Sequence, residues 1–276
     1  MGFVHHTAKS IQTSDVVKRA AAQLDACIEK LFPTPIGTPP ETETAIDEPD
    51  FLTDGQVINS SESGYLQAID LDRILAWAKQ ANAIVKIHPQ PGDFVTAADR
   101  LFAVIPATLA SEIESSQAAK WFILGHERTG EQDARYGFRQ LVEIAVRALS
   151  PSTNDPFTAI NAIDYIGCAL AVVAEREPAS RYRLDSAGQL RIVAPAESFR
   201  AIATETFTPL RFYSREHPLV IRRFWQLLDT LASRLTRADD QDWLQQTRAE
   251  LKSIIEQLPD DSERRRLRDL TQSNPS

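Results

Sequence analysis

Between Arg128 and Asp164 the chain collects side chains able to hold an anion or move a proton. Arg128, Arg139 and Arg147 carry the planar cationic forks that suit a phosphate or carboxylate, and Glu131, Asp133 and Glu143 are candidate acids or bases. Close to them lies the connector "SPSTNDP", Ser150 to Pro156, which sets two prolines and five polar residues between two apolar-periodic runs. Asp155 followed by Pro156 reads as a helix start. Its carboxylate can accept from free N–H groups, and proline at the first helical position loses no hydrogen bond. A helix start also offers amides to an anion, so Arg128, Arg139, Arg147, Asn154 and Asp155 form a candidate ligand-binding cluster, with the charge of Asp155 opposing it. The competing reading is a structural polar network of Glu131, Asp133, Glu143, Asn161 and Asp164, in which the Arg139-Glu143-Arg147 ridge partners Asn161 and Asp164. The network is the preferred reading, and no residue is assigned a catalytic role.

The other chemistry-bearing residues match no known constellation. His126, Glu127, Glu131 and Asp133 in "HERTGEQD" fit no zinc, calcium or metalloprotease spacing, and the adjacent His5 and His6 point to different faces of a helix. His88 and His217 each precede a proline and read as boundary residues. Cys27 and Cys168 form neither a C-x-x-C pair nor a zinc pattern. The sequence contains no G-x-S-x-G, no Walker loop and no G-x-G-x-x-G. The expectation is a protein that is not an enzyme and uses neither metal nor cofactor.

Helical spacing must position these residues. Apolar periodicity predicts helices over 109–120, 134–149, 156–175, 197–212, 217–235, 240–257 and 260–271. In the second of these, Phe138, Leu141, Val142 and Ala145 share one side while Tyr136, Arg139, Glu143 and Arg147 line the other. The third is apolar all round and therefore central. Upstream, residues 1–31 read as an N-terminal helical segment, 32–50 as a proline-rich acidic linker, and 51–108 as a small β-rich module with one helix capped by Asp70. The segment 109–276 reads as a helical domain with a hairpin near 182–194, turning at Asp185-Ser186-Ala187-Gly188. The expected fold class is α+β, mostly α-helical, with a small β-rich module and one β-hairpin.

The 276 residues are 43% hydrophobic and 25% charged, with a formal net charge of −8, a composition that folds. That charge repels phosphate backbones, so no nucleic-acid partner is expected. The basic run Arg264, Arg265, Arg266 and Arg268 lies among acids as a solvated helix face. The longest apolar stretch, Tyr165 to Ala174, is shorter than the ~20 residues that cross a bilayer, so the chain itself is expected to be soluble.

The stretches "FVHHTAKSIQ", "SGYLQAID", "PGDFV", "ERTGEQDARYGFRQLVEIAVRALSPSTNDPFTAINAID" and "GQLRIV" resemble a family of bacterial predicted membrane proteins, the domain of unknown function twenty-two fifty-four. The resemblance runs from the first residues to about Val193. It implies that membrane helices precede "FVHHTAKSIQ", that the chain begins where they end, and that the full-length protein sits in the inner membrane. Lys9, Lys18 and Arg19 near the membrane exit then place this part in the cytoplasm. The implied partners are the missing N-terminal membrane region and further copies in a homo-oligomer, and the implied role is assembly, gating or ligand sensing. The alternative is a soluble enzyme or binding protein for a small anionic ligand at Arg128, Arg139, Arg147 and Asn154. The module from Gly64 to Ile105 is also similar to the barrel-sandwich or hammerhead unit of biotinyl and lipoyl carriers, through Gly92-Asp93-x-Val95, Leu101 and Val104. Carriers place a modifiable lysine in a tight turn, whereas Lys86 falls inside a strand-like run.

Overall fold

In the computed structural model the described residues are 2–31, 48–51, 54–113, 120–177 and 180–272. Most of the acidic linker 32–50 and much of the expected helix 109–120 lie outside them. In chain order the elements are α1 (Gly2–Leu31), β1 (Gln56–Asn59), β2 (Gly64–Ile69), α2 (Leu71–Gln80), β3 (Ile84–Ile87), β4 (Phe94–Val95) and β5 (Arg100–Ile105). A 3-10 turn, Ala107–Glu112, precedes β6 (Phe122–Gly125), α3 (Ala134–Ala148), α4 (Pro156–Glu175), β7 (Tyr182–Leu184) and β8 (Leu190–Val193). Four helices follow: α5 (Phe199–Tyr213), α6 (Pro218–Ala232), α7 (Ala238–Glu256) and α8 (Asp261–Gln272). The class is α+β, and neither of the two sheets closes into a barrel among the described residues.

The chain divides into two interleaved units. The β unit comprises Glu29–Tyr136 and Pro178–Glu197, and the helical unit Met1–Ile28, Gly137–Glu177 and Ser198–Ser276. In the β unit one sheet has the order β1-β5-β3-β8-β7 and the other β4-β2-β6. Strand β5 is a continuous apolar run because both of its faces are covered. Phe102 and Val104 join the larger core with Ile74, Val85, Trp121 and Phe122, while Ala103 joins a second cluster with Phe51, Tyr182 and Val193. Phe102 stacks on Phe122 with ring centroids 5.5 Å apart. The hairpin β7–β8 belongs to this unit instead of to the helical segment in which its sequence position placed it. Strand β8 lies parallel to β3, with Val85 opposite Ile192 and Lys86 opposite Val193. Lys86 donates to Glu48 at 2.6 Å from within β3, so it is a paired strand residue.

Caps set the helix ends. Asp70 accepts from the Arg73 amide at the start of α2, and Ser198 from the Ala201 amide at the start of α5. In the helical unit α4 supplies buried Ile163, Ile166 and Leu170, and α6 supplies Ile221, Phe224, Trp225 and Leu228. Phe207 of α5 meets Phe224 edge-on at 4.5 Å, and Trp243 of α7 at 5.2 Å. Asp164 pairs with Arg223 of α6, and Glu175 at the end of α4 pairs with Arg234 just past the end of α6, both at a sequence separation of 59. Equal separation along both helices means that they run parallel and in register, with their N-termini at one end of the unit. Gly167, between the two pairs, allows Leu227 to approach the α4 backbone.

The apolar stretch Tyr165–Ala174 is only part of α4. The whole helix, 20 residues, is long and apolar enough by length and composition to cross a bilayer, which removes length as a ground for excluding it. Within the helical unit 56% of its most apolar window is buried.

Candidate functional site

The loop "HERTGEQD" leaves β6 and enters α3, and its side chains tie the three-stranded sheet together. Asp133 is 3% exposed. Its Oδ2 accepts from Arg128 Nε at 2.8 Å and Nη2 at 2.7 Å, and its Oδ1 accepts from the Tyr136 amide at 3.0 Å. One carboxylate therefore neutralises a nearly buried guanidinium and caps a helix, which satisfies most of its acceptor capacity. The Arg128 guanidinium also lies 5.8 Å from the centre of the Tyr136 ring.

The turn "PGD" crosses this pair. Gly92 has φ +96°, and a Cβ on it would collide with the Asp133 carboxylate and the Arg128 guanidinium, so glycine is required by both conformation and space. Its amide donates to the Leu66 carbonyl at 2.7 Å, and the Leu66 amide donates to Asp93 O at 2.8 Å. Gln132 Oε1 accepts from the Ile69 amide at 3.0 Å, and Gln67, at the irregularity in β2, donates to Glu127 O at 2.7 Å. The stretches "SGYLQAID", "PGDFV" and "ERTGEQD" thus meet in one polar knot. His126, Glu127 and Glu131 carry exposed side chains on its outer side. No group of three metal-ligating side chains converges among the described residues.

The connector "SPSTNDP" belongs to the helical unit. Ser150 Oγ donates to Arg147 O at 2.8 Å, Asn154 takes a left-handed φ of 45° with its amide on Ser150 O, and the Asp155 amide donates to Ala148 O at 2.8 Å. Asp155 then accepts from the Thr158 amide at 3.0 Å and from Thr158 Oγ1 at 2.7 Å. The start of α4 is occupied by its own cap. The polarity of the connector is that of a helix stop followed at once by a helix start.

The residues of the candidate anion cluster divide between the two units. Arg128 is committed to Asp133 in the β unit, and Arg139 pairs with Glu143 at 2.9 Å on an exposed ridge of the helical unit. Arg147 is exposed beside the connector with Asn154, and Asp155 is spent on the cap. The ridge does not serve Asn161 or Asp164. Asn161 is exposed, and Asp164 pairs with Arg223 because its side of α4, with Gly167 one turn on, is the side that meets α6. Sequence reasoning missed Arg223, Arg234, Gln67 and Gln132, and it missed four exposed apolar side chains, Phe157, Phe212, Tyr213 and Leu219. Phe157 directly after a capped Asp-Pro start was the available signal. A shallow depression also runs along α5 past Ser198, Ala201, Thr204 and Pro209, and its Arg200 is held by Asp239 O and Gln246.

This fold and site define an α+β protein whose signature stretches lock a small sheet at a buried ion pair and join two helices through a capped connector. The chain belongs to the family described as "Predicted membrane protein (DUF2254)", whose profile matches residues 1–230. Its curated relatives include the uncharacterized protein Rv1290c of Mycobacterium tuberculosis and the uncharacterized protein Mb1321c of Mycobacterium bovis. Each is 31% identical over 235 residues, which is 83% of this chain and 44% of the relative. The chain therefore spans less than half the length of the curated relatives it matches. No solved structure matches it.

Proposed function

We propose that this chain is the cytoplasmic part of a longer inner-membrane protein and that it serves assembly, gating or ligand sensing for the membrane part, not turnover of a substrate. The supporting observation is where the signature residues spend their chemistry. Arg128, Asp133, Gln132 and Asp155 all satisfy one another or nearby backbone, which is what a domain built to hold a shape needs. Exposed Lys18 and Arg19 on α1 support a cytoplasmic side. The expected partners are the membrane region of the same protein and other copies of it.

A second reading keeps one specific foothold. Arg147 is exposed next to Asn154, without an ion-pair partner among the described residues, and could hold a small phosphate or carboxylate. A thermal-shift panel of such anions addresses it, since a ligand that binds only the folded state raises its stability. The topology is tested by thiol labelling in intact cells that express the native full-length gene. Cys168 is exposed and Cys27 is buried, so Cys168 is the reporter, with Cys168→Ser as control. A membrane-impermeant maleimide should label Cys168 only after permeabilisation; labelling in intact cells would overturn the cytoplasmic placement.

A further inference from the structure

The two helices α4 and α6 run parallel and in register, so the sequence position of a residue on one gives its level on the other. The separation of 59 in both ion pairs puts Phe157, in the first turn of α4, level with residue 216, just before α6 begins at Pro218. The α5–α6 connection is short, with the His217 amide on Ser214 O, and it keeps Phe212 and Tyr213 at the same end. The Asp155 amide on Ala148 O brings the end of α3, with Arg147, there too.

This end carries an unusual surface. Phe157 is 69% exposed, Phe212 56%, Tyr213 49% and Leu219 40%. Tyr213 meets Phe212 edge-on at 5.1 Å, and Arg215 lies 4.9 Å from the Phe212 ring centre. Arg147, Arg215 and Arg222 are exposed and have no carboxylate partner among the described residues. Most other arginines of the helical unit are paired, including Arg211 with Glu250, Arg223 with Asp164 and Arg248 with Asp229. The acids at this end include Asp155, used in its cap, exposed Glu216, and Glu250 of α7, which is paired with Arg211 beside Phe212. In a chain of net charge −8, Arg147, Arg215 and Arg222 thus lie beside exposed aromatic rings at one end of one unit.

We infer that this end of the helical unit, built from Phe157, Phe212, Tyr213, Leu219, Arg215 and Arg222, docks onto the surface of an anionic lipid bilayer. Rings with one apolar body sit at the headgroup level, and each basic side chain near an anionic leaflet adds attraction that falls off within a Debye length. The inference rests on the membrane-associated reading above and adds which surface meets the lipid.

The test is flotation of the 276-residue chain with vesicles of phosphatidylcholine alone or with phosphatidylglycerol added. Binding is expected to the anionic vesicles only and to weaken with salt. Each arginine removed should lower the partition coefficient about fivefold, so Arg215→Gln with Arg222→Gln should reduce it roughly twenty-five-fold. Phe212→Ser with Tyr213→Ser should abolish flotation. Arg234→Gln, an exposed arginine past the opposite end of α6, should leave it unchanged, and circular dichroism melts verify that each variant folds. Absent binding, or binding indifferent to both double variants, overturns the proposal. So does a dimer in light scattering that the ring variants dissolve while vesicle binding is absent, because the occupant is then a second copy. Thiol labelling at Cys168 reads the side of the membrane independently, so a failure of topology and a failure of docking give different results.

Discussion

Leu227 of α6 rests against Gly167 of α4 so closely that no Cβ fits between them. The contact lies between the Asp164–Arg223 and Glu175–Arg234 pairs and has nearly the same sequence separation. A glycine inside a helix costs about 1 kcal/mol relative to alanine. Here it permits two parallel helices to pack at close range, with Ile163, Ile166 and Leu228 completing the buried seam.

Gly167→Val should therefore destabilise the protein even though valine is the better residue by helix propensity. Overpacking of this kind costs about 1 to 3 kcal/mol, and the change should appear as a lower urea midpoint with an unaltered slope. A midpoint equal to that of the wild type would mean that the seam is loose.

The Arg128–Asp133 pair gives a sharper contrast. Breaking a buried pair from one side leaves a charge without its partner and costs about 3 to 5 kcal/mol, so Arg128→Met should be severe. Asp133→Asn keeps an acceptor for the Tyr136 amide and loses only the charge, and combining the two removes both charges at once. The double variant should be less damaged than the sum of the singles. Strict additivity in the cycle would show that the two side chains do not interact energetically.

The helices were legible because each carries its own period and its own boundary signals. Asp155-Pro156, Ser198 and Asp70 mark starts that the structure places within two residues of expectation. The pairing of β8 with β3 was not legible, because Arg191 and Ala83, which meet there, are 108 positions apart and neither strand signals a parallel partner. The candidate site divides in the same way. Local events such as the Asp155 cap and the Arg139–Glu143 pair follow from spacing. The choice of Arg223 for Asp164 and the crossing of "PGD" over Arg128 depend on tertiary packing, which spacing does not encode.

His88 provides a pH test of the β unit. Burial lowers its pKa below the ordinary 6.5, and the charges of Lys86 and Arg100 lower it further. Its Nε2 is buried without a hydrogen-bond partner among the described residues. The unfolded chain then binds the proton more readily than the folded one, so stability is full above pH 6.5 and falls as the pH drops below that value. Unfolding free energies measured between neutral and mildly acidic pH should decline less in His88→Gln than in the wild type.

Asp185 titrates in the opposite sense. Its hydrogen bond from Arg191 and the amides of Gln189 and Ala187 hold its carboxyl down to about 2, against an ordinary value of 3.8. The stabilisation it provides is present above pH 3.8 and is lost as the pH falls toward 2. Arg191 also donates to Asn82 Oδ1 at 2.9 Å and to Ala83 O, so the same carboxylate anchors the hairpin to the entry of β3. Asp185→Asn should flatten the acid limb of the stability profile, and hydrogen exchange in β7 and β8 should accelerate at neutral pH. Unchanged protection of those strands would detach the hairpin from this anchor.

The connector "SPSTNDP" separates a structural from a binding role through two neighbouring substitutions. Asp155→Ala removes both bonds to Thr158, and a lost N-cap costs about 0.5 to 2 kcal/mol, so the melting temperature should fall. Arg147→Ala removes an exposed side chain with no ion pair among the described residues, so the melting temperature should stay within the small range of ordinary surface changes. If Arg147 contributes to the lipid-facing end, the same variant should nevertheless lose about fivefold in partition onto anionic vesicles. A fall in melting temperature for Arg147→Ala equal to that for Asp155→Ala would return Arg147 to the structural network and remove it from the docking surface.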